Sequence, residues 1–285
     1  MDRKSDAWWF AIFFIFGSIF AFLALSNVTA YLVQIVGTTF LIVALYQFFK
    51  KRIRLSGLFI ACAGMTRPTL YLATIFFLIE IVKSRHEKWR ELFKLLLPIS
   101  ISIVLLAGYN AVRFGNPFET GYSYIPNRNP IYTAARAYGE FSLMYIPGNL
   151  YFLLFKGPDP VRADNLTYIL KFPYLRVNEW GLGIFFTSPL FLYLFSVNVR
   201  EKFVISSLIT TLCMLFVVLT YYNSGLWQYG YRYALDFYPL LFIILVSVFK
   251  YGLPLRAKGL ICYSIVFNLC YMFSILNTYP FWLKL

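Results

Sequence analysis

Nine apolar stretches run through this chain, at about 7–25, 29–49, 55–66, 69–82, 92–112, 181–199, 203–222, 233–249 and 259–278, each nearly free of charge. A helix that crosses a bilayer needs about 20 such residues at 1.5 Å per residue. Most of the runs are long enough, and 55–66 and 69–82 are short. A water-soluble globule cannot hide so much apolar surface. Here 60% of the residues are hydrophobic, 21% aromatic and only 13% charged, whereas an ordinary soluble domain is roughly 25% charged. The expected fold is all-α: a polytopic helical membrane protein, one membrane domain over 1–285, with about nine membrane helices, two of them short. The first run is followed by no small-residue cleavage site, so it reads as a first span that stays in place.

The net charge of +14 invites a nucleic-acid reading, but the charges fall in a topological pattern. Lys50, Lys51, Arg52 and Arg54 fill one connector, and Lys83, Arg85, Lys88, Arg90 and Lys94 a second. Arg200 and Lys202 mark a third, and Lys250, Arg256 and Lys258 a fourth. With Arg3 and Lys4, these make 16 of the 26 basic residues. All lie on one side when the runs are threaded in order, with 55–82 taken as an out-and-back pair. The positive-inside rule makes that side cytoplasmic. The expectation is therefore a plasma (inner) membrane protein with its N-terminus inside and its C-terminus outside, bound to lipid and not to nucleic acid.

Cys62, Cys213, Cys262 and Cys270 sit inside apolar runs without metal-ligand spacing, and read as small buried hydrophobes. The single histidine, His86, stands in a charged stretch. No metal site, no cofactor, no Ser-His-Asp set and no Gly-rich phosphate loop is identified.

Segment 113–180 reads as one long external loop. Turn formers punctuate it at 115–117, 125–127, 129–130, 147–148 and 157–160, and the apolar, aromatic part at 138–155 reads as one or two short interfacial helices interrupted by Pro147 and Gly148. Ordered loops of this length tend to cover a site. The acids in it include Glu119 and Glu140.

The charges that cannot leave the apolar region are the informative ones. Arg67-Pro68 stands at the tip of the 55–82 pair, and an arginine at mid-membrane costs about 2.5–3.5 kcal/mol on insertion scales. Arg67 is either a hairpin corner whose guanidinium reaches headgroups, or a cavity-facing cation that holds a phosphate. The second candidate is segment 225–236, with Trp227, Tyr231, Arg232 and Asp236 just ahead of the run at 233–249. Arg232 and Asp236 are four apart, so on an α-helix they share a face and can pair. The aromatics fit either an interfacial belt or a surface that holds a sugar.

Four stretches carry a resemblance: Leu58 to Leu70, Tyr109 to Tyr122, Gly181 to Leu192 and Gly230 to Leu241. In order and spacing, over about 55–250, they resemble the membrane-embedded glycosyltransferases of the GT-C superfamily, in particular relatives of protein mannosyltransferases and aminoarabinose transferases. The resemblance implies transfer of a sugar from a polyprenyl-phosphate-linked donor to an acceptor on the outer face of the membrane. It also implies a phosphate-facing cavity with Arg67 and Arg232, and Tyr231 and Trp227 beside them. Such transferases carry their catalytic carboxylate in a first external loop. Here only Ser26-Asn27-Val28 separates the first two runs, without an acid. The chain thus resembles such a transferase without its N-terminal catalytic part, which implies an incomplete or split enzyme, or a partner subunit that supplies the missing loop. Glu119, Glu140 and Asp236 are the weak alternatives for the acid. Other classes also fit: a non-catalytic membrane subunit, a lipid-linked glycan polymerase or ligase, or a transporter.

Overall fold

The computed structural model describes residues 3–26, 28–84, 87–121, 124, 134, 136–164, 167–225 and 228–278. Of the residues singled out above, Arg85, His86, Tyr122, Trp227 and the turn formers at 125–130 lie outside the described residues, as does Asn27.

Run 29–49 folds as one helix, here α3 (Thr29–Phe49). It ends at the basic connector in a Schellman turn: Lys51 takes φ 60°, the Lys51 N–H donates to the Phe48 carbonyl and the Arg52 N–H to that of Gln47. Run 92–112 lies within α6 (Lys88–Phe114), which stops at Gly115 with φ 72°. Between them the chain goes out and back, as expected from the sequence. Helix α4 (Ile53–Thr66) leads to Arg67, whose extended backbone (φ −146°, ψ 116°) follows from the proline after it. A tight 3-10 helix, Pro68–Ala73, then turns the chain into α5 (Thr74–Lys83). Two glycines permit close approach, one between this hairpin and α6 and one within the hairpin itself. A Cβ at Gly57 would strike the Leu95 carbonyl on α6, and one at Gly64 would strike the ring of Tyr71.

Three other runs do not fold as single α-helices. Run 7–25 is divided into α1 (Arg3–Phe16) and α2 (Phe20–Leu25). The Ser18 hydroxyl bridges the break by donating to the Phe14 carbonyl at 2.6 Å and accepting from the Phe20 N–H at 3.2 Å. Run 181–199 gives a one-turn helix and a 3-10 helix, Pro189–Ser196, and run 233–249 gives a 3-10 helix, Arg232–Asp236, before the next α-helix. The breaks at 17–19 and 188 meet. Ser188 Oγ donates to the Gly17 carbonyl at 2.8 Å, and Asn268 Nδ2 donates to the carbonyls of Phe16 (3.4 Å) and Thr187 (3.0 Å). Backbone groups freed by the interruptions are thus satisfied from side chains.

The loop after α6 is also more ordered than turn signals imply. A 3-10 turn at Leu143–Tyr145 runs into α7 (Ile146–Leu154), where Pro147 occupies the first turn and interrupts nothing. An antiparallel ribbon follows, β1 (Asp159–Arg162) with β2 (Leu170–Arg176), which the sequence reading did not anticipate. The remaining helices are α8 (Ile184–Thr187), α9 (Val204–Thr220), α10 (Tyr238–Val248) and α11 (Leu255–Thr278).

The molecule is therefore mostly helical, with one small ribbon. Among the described residues two helices are long and apolar enough to cross a membrane, α3 and α6. Only 33% and 17% of their most apolar windows are buried, so neither is the enclosed core helix of a globule. None of the four cysteines is fully buried as expected: Cys62 and Cys213 are half-buried, and Cys262 and Cys270 are exposed on α11.

The helix ends sort into two groups. At one end, Phe49 meets Phe203, Glu201 pairs with Lys250, the Leu253 N–H donates to Asp6, and Glu80 holds both Lys83 and the Ser206 hydroxyl. This is the end of the basic connectors. Glu80 is thus packed into the structure, with its side chain only 9% exposed. At the opposite end lie the start of α3, the α4 tip, the end of α9 and the 3-10 helix before α10.

Candidate functional site

The hairpin tip and the 3-10 helix at 232–236 meet at that second end. Asp236 is fully buried there and Arg67 is partly exposed, with Arg67 Nε 2.9 Å from Asp236 Oδ1. Arg67 Nη2 donates to Asp236 Oδ2 at 2.9 Å, and the Thr69 hydroxyl donates to the same oxygen at 2.6 Å. The Thr38 hydroxyl of α3 donates to the Leu235 carbonyl at 3.2 Å, fixing the segment from a third side.

This corrects the pairing of Arg232 with Asp236. The four-residue spacing places two side chains on one face only in an α-helix, and here the segment winds at about three residues per turn, so the two point apart. Arg232 instead lies over the rings of Tyr31 (5.3 Å) and Tyr233 (5.0 Å), and its Nη2 donates to the Tyr233 hydroxyl at 3.1 Å. The Arg67 guanidinium lies 5.2 Å from the same Tyr233 ring. One tyrosine thus stands against both cations, an arrangement that aromatic faces favour.

Arg67 and Arg232 border one cavity of about 400 Å³. That is room for a headgroup and not for a whole lipid. Arg67 is therefore a cavity residue, not a corner reaching outward. Gln34 and Thr69 also line the cavity, and Gln34 Oε1 is buried without a hydrogen-bond partner.

The outer loop contributes to the mouth. Glu140 and Phe141 are in the lining, and their strand is tied to the end of α9: the Tyr222 N–H donates to the Glu140 carbonyl (2.9 Å) and the Ser142 N–H to that of Thr220 (2.8 Å). Arg136 stacks on Tyr222 and lies 3.8 Å from the half-exposed Glu140 carboxylate. Asn149 of α7 donates to the carbonyls of Leu219 and Tyr221, both at 2.8 Å, closing the last turn of α9.

The other sequence candidates fall differently. Glu119 accepts from the Gly121 N–H at 2.7 Å and is not in the cavity lining, although its neighbour Thr120 is. Tyr231 is buried beside the cavity, its ring against Tyr233 and its hydroxyl without a hydrogen-bond partner. Trp227 lies outside the described residues. Tyr31, Gln34 and Thr69 were missed, whereas Tyr233 lies within the segment 225–236 singled out from the sequence. Gln34 carried a signal, as an amide in the middle of the apolar run 29–49, whose other amide, Gln47, stands at the basic end.

Chemically, the cavity offers a cation on an aromatic wall, an internally paired cation beside it, and a carboxylate at the rim. No protein-family model, no curated protein and no solved structure matches the chain.

Proposed function

We propose that this is a multi-pass membrane protein of the plasma (inner) membrane, with about nine spans, whose cavity opens on the outer face and receives a polyprenyl-phosphate-linked sugar. In this reading the chain acts in transfer of that sugar to an acceptor, in the manner of the GT-C transferases, and a partner subunit supplies the carboxylate absent from the loop between the first two runs. The observation that carries it is that Arg67 and Arg232, from distant segments, border one cavity at the end away from the basic connectors. The large exposed apolar surface of α3 and α6 supports the membrane part, and the basic connectors at the other end support the orientation.

A second reading, a non-catalytic subunit that only binds the carrier, is favoured by Asp236, whose carboxylate is already engaged by Arg67 and Thr69. The test uses purified protein in nanodiscs with a radiolabelled polyprenyl-phosphate hexose. Binding with release of polyprenyl phosphate supports a transferase, and binding without release supports the subunit. No binding by the unaltered protein removes both.

A further inference from the structure

Strand β2 is exposed at every position from Leu170 to Arg176, so neither face of it is covered by the rest of the chain. Beside it and on it, Tyr168, Ile169 and Phe172 are 87%, 64% and 79% exposed. Large apolar side chains so open to water, grouped on one element, mark a surface that meets something else. Cations stand among them. The Arg162 guanidinium lies 5.2 Å from the centre of the Tyr168 ring, and the exposed Lys171 adjoins Phe172. Neither cation has an ion-pair partner among the described residues. Of the two acids in 156–178, Asp159 is held by Lys156 and Asn178, and Asp164 accepts from the N–H and hydroxyl of Thr167. Four basic residues stand against these two acids, a net +2 that the uncharged Asn165 and Leu166 do not alter.

We infer that the ribbon is an interfacial anchor: Tyr168, Ile169 and Phe172 enter the headgroup region of the bilayer on the cavity side, and Arg162 and Lys171 gather anionic lipid around them. Rings and aliphatic groups set among cations suit the boundary where hydrocarbon meets charged headgroups. The exposed apolar side chains also continue along the chain from α7, where Tyr151 and Phe155 are open, into the ribbon. Charge excludes the nearest rival occupant. A second copy docked through this ribbon about a two-fold axis would set like charges against each other. A hydrated glycan would leave Ile169 and Phe172 with nothing to bury against. The inference rests on the membrane part of the function proposed above and is independent of sugar transfer.

The test is photocrosslinking in nanodiscs of phosphatidylcholine and phosphatidylglycerol in equal parts. Phe172→p-benzoylphenylalanine puts a photoreactive ring where a ring already stands, and adducts of the irradiated full chain are identified by mass spectrometry. Lipid adducts are expected, with phosphatidylglycerol enriched about three- to tenfold over phosphatidylcholine. Adding Arg162→Gln with Lys171→Gln, both at exposed positions, is expected to return the ratio to that of the bilayer while lipid capture persists. Val104→p-benzoylphenylalanine, on the exposed apolar face of α6, is the control and is expected to capture both lipids equally.

Capture of lipid at position 104 and none at 172 would overturn the inference and leave the membrane reading standing. Capture of a second copy of the chain at 172 would overturn it as well, and so would lipid capture there at the bilayer ratio before either cation is changed. If neither position captures lipid, the membrane reading falls together with the anchor.

Discussion

Arg67 and Asp236 stand 169 positions apart in the chain and share two close nitrogen–oxygen contacts in the interior, at 2.9 Å each. The pair locks the tip of one helical hairpin to the start of a helix more than half the chain away. Its stabilising value depends on both partners being present, because a lone buried charge has nothing to replace its lost water.

Single removal is therefore predicted to be far worse than double removal. Asp236→Ala should lower stability by about 3–5 kcal/mol, and the double variant Arg67→Met with Asp236→Leu by much less. Thermal unfolding in detergent compares them. Equal losses in the two proteins would contradict this.

The close crossing of α4 and α6 gives a steric prediction. Gly57 faces the Leu95 carbonyl, a backbone atom that cannot rotate away. Gly57→Val should cost about 1–3 kcal/mol through overpacking. Gly108→Ala, with open space around its Cβ position, serves as the control. The midpoint difference between the two variants reads the effect.

At the cavity mouth, Asn149→Leu removes both hydrogen bonds to the last turn of α9. The expected loss is about 1–3 kcal/mol for acceptors left unpaired. Hydrogen exchange should quicken first at Tyr222 and Ser142, whose N–H groups tie the outer strand to that turn. Unchanged exchange at both would show that Asn149 does not support the mouth.

The ribbon gives a pH prediction. Burial of Asp159 acts to raise its pKa, but hydrogen bonds from Asn178 and Lys156, with the charges of Lys156 and Arg176, outweigh it and hold the carboxyl below its usual range. A depressed carboxylate contributes stability that is fully present above the unfolded value, about 4, and is lost as pH falls through the lower folded value. Limited proteolysis within 159–176 should thus accelerate below about pH 4, and Asp159→Asn should show fast cleavage at neutral pH. A rate independent of pH in the unaltered protein would contradict the assignment.

Local features of the fold were legible where short-range chemistry decides them. The uninterrupted run 29–49 became α3, and Pro68 made the corner at Arg67. The helix ends that carry the basic connectors lie together at one end. What was not legible depended on partners distant in sequence. Asp236 has Arg232 one α-turn away on paper, and only the tighter winding of that segment sends it to Arg67 instead. The break at 17–19 is held by Ser188 and Asn268, which nothing in the first run could announce. The ribbon at 159–176 alternates too weakly to separate it from a turn-rich loop. Of the cavity, both arginines were visible as charges out of place, and Glu140 as an acid of the outer loop. Tyr31 was hidden among 23 tyrosines.

Because the outer strand hangs on α9 through backbone groups at Glu140 and Ser142, the rim of the cavity keeps its shape whatever side chain stands at position 140. Change there alters what the opening admits and leaves its frame intact, so this edge is free to diversify in chemistry while the cationic floor beneath it stays the same.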